Sequence, residues 1–519
     1  MADTHQRASV NGHPAPLGRD ELANLLTTHI GQGRPSGPAQ PHPLPEQPAP
    51  PAAPGPAVVP RLADLPGGLP VGWDVIEDLQ IKVSQQLSTR DPDRTLTEDD
   101  RRALARSLAT STVAEWGALY AQGNAPLTAE QEAIIGTAVF DAMYRGGRLQ
   151  SLLDQEGVED LMVDGTRAFV EYFDKPRRTI ERVADTHDEL IAWVNRMAGL
   201  SGHGERALTQ ASPMVGFRMP DGSRVTASML TSRPSVVIRK HRIRQHGMAE
   251  LVRWGSINPL LERFLIACVH ARMNILVVGD MGAGKTSLLR ALGREIPEAE
   301  RLVTLESDRE LYLDEPGLKP GPVTFAFEAR SSNGERTGDN RLAGEVTLSD
   351  MFATALRYNA TRVIVGEVRS TEIVPMLQSM SAGGSGSMCT MHVRRPHAII
   401  SRLVQLCTEA GMVSEAAHHL IASSIDVVIY LTYLDETGQG GRKHRFVSHI
   451  YEVQDVVGEG GRPTTSELFA PIGTERRALY RNMPSFIDDL ERTGQFHRTW
   501  LTDNPHGAWG PALQTVSPR

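Results

Sequence analysis

The spacing of apolar residues changes along the chain, and each change marks an organisational boundary. From Trp73 to about Tyr144 they recur at helical intervals: Val75, Leu79 and Val83, then Leu104 and Leu108, then Ile134, Ile135, Val139 and Met143. Thr97-Glu-Asp-Asp and Thr128-Ala-Glu-Gln131 read as helix N-caps, the second with capping-box spacing. A helical region over 69–148 follows. From 149 to 238 the pattern mixes strand-like runs, Ala168–Tyr172 and Val236–Ile238, with a helix from Glu189 to Met197 and a turn at Pro220-Asp-Gly222. That mixture predicts a small α+β domain.

Arg239, Lys240, Arg242 and Arg244 open a polar connector over 239–257, after which Pro259 to Arg272 reads as a helix leading into the apolar run Asn274–Val278. Strand and helix signals then alternate to about residue 470, with Arg301–Leu305, Arg362–Val365 and Asp426–Leu431 as central strands and Phe446–Val457 as a further β segment. Such alternation predicts an α/β, doubly wound or RecA-like sheet. Residues 471–519 are polar and aperiodic, and read as a tail. Residues 1–68 are poor in apolar residues and carry a dense proline stretch from Pro41 to Pro56, which predicts a disordered, partly polyproline extension acting as a spacer or as a ligand for a proline-reading module.

Composition narrows the picture. The chain's 519 residues leave room for two or three domains, and a formal net charge of -8 gives no polyanion-binding signal. Three cysteines without CxxC spacing argue against a disulfide framework or a structural zinc site, which points to a reducing cytosol. No apolar run reaches the roughly 18 residues that cross a bilayer, and the opening residues lack a signal-peptide core. The expected location is therefore cytoplasmic, with docking onto a membrane complex through a protein surface.

Chemistry enters at Gly279-Asp-Met-Gly-Ala-Gly-Lys285-Thr286, which fits the phosphate-loop pattern GxxxxGK[ST] between a strand and a helix. Gly279, Asp280, Met281, Gly282, Ala283, Gly284, Lys285, Thr286 and Ser287 form the expected nucleotide cradle. Backbone N–H groups and the helix N-terminus would hold phosphates, Lys285 would reach the β and γ phosphates, and Thr286 would ligate Mg²⁺. Hydrolysis needs more than a cradle: a metal-side carboxylate, a water-orienting group and a charge for the transition state. Glu367 ends the apolar strand Arg362-Val-Ile-Val-Gly-Glu367 in Walker B fashion, as a ligand near Mg²⁺ and a polariser of water. Glu306 ends Leu302–Leu305 comparably. His392, after the glycine-rich turn Gly383-Gly-Ser-Gly386, reads either as a structural histidine or as a γ-phosphate sensor.

The order of these elements, preceded by Ser212-Pro-Met-Val-Gly-Phe-Arg-Met-Pro-Asp-Gly-Ser-Arg224, resembles the type II/type IV secretion ATPases, within them the CpaF-type branch that drives tight-adherence pilus assembly. Asp160-Leu-Met-Val-Asp-Gly165 and Ile238-Arg-Lys240 fit the same branch, and the resemblance spans about Arg148 to Phe469. It implies a hexameric ring of two-lobed subunits, with ATP and Mg²⁺ between the lobes and integral-membrane platform proteins as partners. It assigns Glu306 to an acidic box, Glu367 to Walker B and His392 to a histidine box. It also implies catalytic arginines, for which Arg218, Arg224, Arg239, Arg330 and Arg369 occupy motif positions.

Some positions depart from that pattern. Ser307 follows Glu306 where a second acidic residue is usual, Gly384 and Ser385 replace a His and an acidic residue, and Cys389 and Val393 replace commoner choices. The tetracysteine zinc module of some members is missing. Two other readings therefore stand beside the pilus motor: a nucleotide-responsive scaffold with little turnover, and a conjugative DNA or protein transfer ATPase built on the same core.

Overall fold

The computed structural model describes residues 69–201, 207–240, 246–316, 320–330, 344–458, 461–503, 507, 509–511 and 513–516. The proline-rich extension expected over 1–68 lies outside the described residues.

Helices Trp73–Arg90, Glu98–Tyr120 and Ala129–Tyr144 pack around Ile76, Leu79, Val83, Leu108, Ile135 and Val139. Both expected caps form. Thr97 accepts from the Asp100 N–H at 3.2 Å, and Thr128 and Gln131 close a reciprocal box at 3.2 and 2.9 Å.

The first lobe is an antiparallel sheet of β1 (Val158–Asp164), β2 (Arg167–Tyr172), β3 (Arg178–Ile180), β4 (Met214–Arg218), β5 (Arg224–Ser228) and β6 (Ser235–Arg239), in the order β3-β2-β1-β6-β5-β4. Its strands alternate buried and exposed residues, because only one face is covered, by the helix His187–Leu200 through Leu190, Trp193, Val194 and Met197. At the expected turn Asp221 accepts from the Ser223 N–H at 2.8 Å and Gly222 takes φ +84°, which turns β4 back into β5.

The second lobe is a nine-stranded sheet in the order β15-β14-β13-β12-β7-β11-β10-β8-β9. Its strands are β7 (Ile275–Gly279), β8 (Arg301–Glu306), β9 (Val323–Glu328), β10 (Arg362–Val368), β11 (Met388–His392), β12 (Val427–Asp435), β13 (Lys443–Val457), β14 (Pro463–Ile472) and β15 (Glu475–Tyr480). β12, β7, β11, β10, β8 and β9 run parallel, and β13 to β15 add an antiparallel wing. β7 is buried throughout and serves both faces: Ile275 and Val277 pack with the helices Pro259–His270 and Lys285–Gly293, Leu276 and Val278 with Ile373–Ser381 and Ile399–Glu409. This is the α/β arrangement the alternation predicts.

The C-terminal expectation needs correction. Residues past 470 are no free tail: β15 pairs with β14, and Ile487, Leu490, Phe496 and Leu501 enter the same core as β7. Trp509 donates to the Ala478 carbonyl at 2.8 Å while the Arg477 guanidinium lies over its ring. Short elements with two or three apolar anchors each leave too little periodicity to detect. The histidine box, which is not among the strands expected from the sequence, forms a central strand, β11, inserted between β7 and β10.

The glycine turn before β11 sits at the opposite edge of the sheet from the phosphate loop. Arg362, 1% exposed, bonds Glu300 through Nε at 2.8 Å and Nη2 at 2.5 Å and reaches the Gly386 carbonyl at 3.3 Å. Gly386 has φ +85°, and a Cβ on it would lie 2.5 Å from Arg362 Nη1, so only glycine fits. Asn274 accepts from the N–H groups of Gly386 and Ser387 at 2.9 and 3.1 Å.

Phe496 packs edge-on against Phe264 and Trp500. Phe496→Ala is expected to destabilise the second lobe by about 3–5 kcal/mol, measured as a lower urea midpoint for that lobe, whereas a true tail residue would change it by under about 0.5 kcal/mol.

Candidate functional site

The parallel strands deliver their functional residues to one edge, the carboxyl end, where ligands bind in open α/β sheets. Gly279 closes β7. A Cβ there would lie 2.5 Å from the Leu431 carbonyl on β12, so the tight pairing needs glycine. Gly282 and Gly284 take φ +75° and +91°, left-handed values that let the chain curl before the helix starts at Lys285.

Lys285 is 6% exposed and donates through Nζ to the Asp280 carbonyl and to His392 Nδ1, both at 2.9 Å. Burial pulls its ammonium down to about 8, against the opposing charges of Glu367 and Asp280. His392 stands opposite Gly279 in the β7–β11 register, and its Nε2 lies 3.1 Å from Glu367 Oε1. Since Nδ1 accepts from the lysine, the partners assign the imidazole proton to Nε2, which donates to the carboxylate. Arg369 takes the other Glu367 oxygen at 2.6 Å. Burial alone would raise the Glu367 carboxyl, but hydrogen bonds from His392 and Arg369 overcome it and hold the group down at about 2. The result is one chain, Lys285–His392–Glu367–Arg369, running from the helix after β7 across the ends of β11 and β10.

Glu306 behaves oppositely. It is 2% exposed, at the end of β8, and a Cβ on Gly366 would lie 3.0 Å from its Cγ, which places it beside the Walker B strand. Its Oε1 accepts from the Glu310 and Leu311 N–H groups at 2.8 and 2.9 Å, while Oε2 is buried without a partner. Desolvation outweighs those bonds and pushes the carboxyl up to about 7. Two carboxyls on neighbouring strands are thus driven to opposite protonation behaviour.

The expected arginines divide into groups. In the antiparallel register Arg218 faces Arg224, and Arg224 faces Arg239, with Asp160 completing the row. Like charges directly opposed across strands cost stability, so the row needs anions around it. Arg218 bonds Glu328 at 2.6 Å and the Tyr312 hydroxyl at 3.1 Å, Arg224 bonds Asp308 at 2.6 Å, and Arg239 bonds Asp160 at 2.9 Å. The first two pairs join the lobes, and the Arg239 and Arg224 charges oppose the upward push of burial on Glu310. Arg330 does not join this group. It is exposed past the edge strand β9, bonded to the Gly344 carbonyl at 2.6 Å, four strands or about 19 Å from β7.

Residues outside any motif also reach the loop. Arg445 on β13 donates from Nε to the Gly282 carbonyl at 2.7 Å, and His246 Nε2 bonds the Ser287 carbonyl at 2.8 Å. Neither stands out in the sequence, since both sit in polar, basic stretches, Arg442–Arg445 and Arg242–His246. A concavity of about 750 Å³ lined by Trp73, Ile134, Arg148 and Asp185 shares no residue with the phosphate loop.

The family model described as "Type II/IV secretion system protein" matches residues 170–477, more than half of the chain and inclusive of every strand of this edge. The chain belongs to the type II/IV secretion system protein family. Among relatives of this family member, a putative conjugal transfer protein of Mycobacterium tuberculosis is 29% identical over 296 residues, 55% of this chain and 79% of that protein. The type IV secretion system protein PtlH of Bordetella pertussis is 29% identical over 265 residues, 46% and 75% of the two chains. Among solved structures, the VirB11 ATPase of Brucella suis covers 61% of this chain and 96% of its own at 20% identity and a TM-score of 0.30. For the Legionella pneumophila ATPase DotB the figures are 60%, 80%, 18% and 0.41. Membership therefore rests on the family match.

Because the folded Glu306 holds its proton to about pH 7 and the unfolded one only to about 4.5, folding takes up a proton between those values. The stability this group confers is complete below pH 4.5 and is lost as the pH rises to about 7, a change of about 3 kcal/mol at 1.36 kcal/mol per unit. Glu306→Gln keeps the acceptor for both N–H groups. It is expected to be more stable than wild type at pH 8 by up to about 3 kcal/mol and equal to it near pH 4, checked by paired unfolding curves at the two pH values.

Proposed function

We propose that this family member is an ATP-hydrolysing motor of a type II/type IV secretion or tight-adherence pilus apparatus, which converts turnover into motion between its lobes. The observation that carries the reading is the chain Lys285–His392–Glu367–Arg369 at the mouth of the phosphate loop, facing the arginine row of the first lobe.

In this reading Lys285 leaves the Asp280 carbonyl and His392 for the β and γ phosphates of ATP. His392, released at Nδ1, reports the exchange to Glu367, which stays ionised and orients the attacking water. Glu306, poised at about 7, accepts the water's proton. The arginine row is the source of transition-state charge: closure of the lobes would trade the Asp308 and Glu328 pairs of Arg224 and Arg218 for phosphate oxygens.

A magnesium ion would neutralise charge between the β and γ phosphates. The residues fit it only together with phosphate oxygens. Thr286 stands in the first turn of its helix, Glu306 has one unpartnered oxygen, and among the described residues no cluster of three or more His, Cys, Asp or Glu forms a metal site alone. Glu367, the other expected ligand, has both oxygens engaged by His392 and Arg369 and would contribute after one of them lets go.

Arg330, too far from its own loop and exposed at a sheet edge, suits an in-trans role in a ring, and a hexamer is the assembly proposed. Among the described residues no helix is long and apolar enough to cross a membrane. Work at the cytoplasmic face of an inner-membrane complex, through its integral-membrane platform proteins, agrees with that. The CpaF-type motifs favour pilin as cargo. The Mycobacterium relative's description favours a second reading, conjugal transfer, for which salt-dependent DNA binding is the discriminating measurement.

Phosphate release should be lost in Lys285→Ala with the fold retained by circular dichroism, and turnover surviving in that variant would rule out the assigned loop. Arg224→Ala is expected to lower kcat by about 10³-fold or more if it supplies finger charge, with ATP binding far less affected. A loss under about tenfold would leave Arg224 as an inter-lobe ion-pair residue.

A further inference from the structure

Arg445 lies where three parts of the molecule meet, and no motif accounts for it. Its side chain is 13% exposed. Nε donates to the Gly282 carbonyl at 2.7 Å and Nη2 to Glu159 Oε2 on β1 at 2.9 Å. The guanidinium carbon is 4.6 Å from the centroid of Phe173 and 5.2 Å from that of Tyr433, its cross-strand partner. The group is therefore oriented from several sides: phosphate loop, first lobe and two rings.

The contact with Gly282 acts on the loop's binding geometry. In a planar trans peptide the carbonyl of one residue and the N–H of the next point to opposite sides. With the Gly282 carbonyl drawn out to Arg445, the Ala283 N–H must point inward. It does: Ala283 N–H meets the Asp280 carbonyl at 3.3 Å, the same oxygen that accepts from Lys285 Nζ. Gly282, at φ +75°, has the torsional freedom to flip that peptide, so something must hold it.

The contact with Glu159 makes the hold depend on the first lobe. Lys443, two residues earlier on the same face of β13, repeats the link through Glu171 at 3.3 Å and the Tyr172 carbonyl at 2.8 Å. The β12–β13 hairpin is thus fastened to the first lobe at two points, while β12 pairs with β7 through Val427–Leu431.

We propose that Arg445 is a positioning residue for nucleotide binding: it holds the Gly282–Ala283 peptide in the orientation that closes the loop's turn, with the Ala283 N–H on the Asp280 carbonyl, and Glu159 ties that orientation to the placement of the first lobe. The inference rests on the reading that Gly279–Thr286 binds a nucleotide. It adds a coupling route on the side of the loop away from the arginine row.

The test uses the full chain, a fluorescent ATP analogue for affinity, phosphate release for turnover and thermal denaturation for integrity. In Arg445→Ala the analogue Kd and the KM for ATP are expected to rise about tenfold, the equivalent of one charge-assisted hydrogen bond, with kcat changing less than KM. Glu159→Ala should weaken binding severalfold in the wild-type background and add nothing in the Arg445→Ala background, because both act through one contact. Arg445→Lys, which keeps the charge but cannot bridge both partners, should recover only part of the affinity. An Arg445→Ala protein that melts lower but binds with unchanged Kd, or Glu159 and Arg445 effects that simply multiply, would overturn the proposal. If Arg445→Ala does not fold, Glu159→Ala decides, and unchanged affinity in that variant overturns it. A wild-type chain that binds no analogue would defeat the nucleotide reading itself, a result distinct from both.

Discussion

The strand order β7-β11-β10 constrains everything at the carboxyl end of the sheet. It interposes one strand, β11, between the strand that leads to the lysine and the strand that carries Glu367. A single side chain at the end of β11 must span the gap, and an imidazole, with an acceptor at one nitrogen and a donor at the other, does so at 2.9 and 3.1 Å. The hydrogen-bond polarity runs one way, from ammonium through ring to carboxylate. Anything that withdraws the lysine alters the acceptor load on the ring and, through it, on Glu367.

Around this axis ion pairs join the two lobes, whose buried apolar clusters are separate. On one flank Arg218 and Arg224 reach Glu328 and Asp308, and on the other Arg445 and Lys443 reach Glu159 and Glu171. The pairs of Arg218 and Arg224 are partly exposed, and such pairs are worth little individually and exchange readily for a stronger anion. A tightly packed apolar seam would resist such exchange. The lobes are thus joined in a way that a multiply charged phosphate ligand can rearrange.

Much of this was legible in the chain, and the failures have physical causes. Caps at Thr97 and Thr128, the fully buried strand at Ile275–Gly279 and the glycines of the loop depend on local chemistry, which sequence carries directly. β11 does not read as a strand because Met-Cys-Thr-Met-His has weak β propensity; burial between two neighbours decides its state. β9 and β15 are an exposed edge and a charged one, without the apolar run of a core strand. Of the site, Lys285, Glu367 and His392 come together as their motifs suggest. The arginines could be sorted only by register: Arg218, Arg224 and Arg239 align through two hairpin pairings, whereas Arg330 sits at the far edge. Glu306's protonation depends on burial, which spacing cannot report, and Arg445 has no neighbouring signal at all.

The glycine turn ahead of β11 lies a full strand length away from the phosphate loop. What it governs there is threading. Buried Arg362 and Asn274 clasp Gly386 and fix the residue at which β11 enters the sheet. A slip of one position would rotate His392 to the opposite face and strand the lysine and the carboxylate without an intermediary. The Lys285–His392–Glu367 chain is therefore indexed from its remote end, much as a key is cut relative to its shoulder, and the residues that set the index need never approach the phosphate loop.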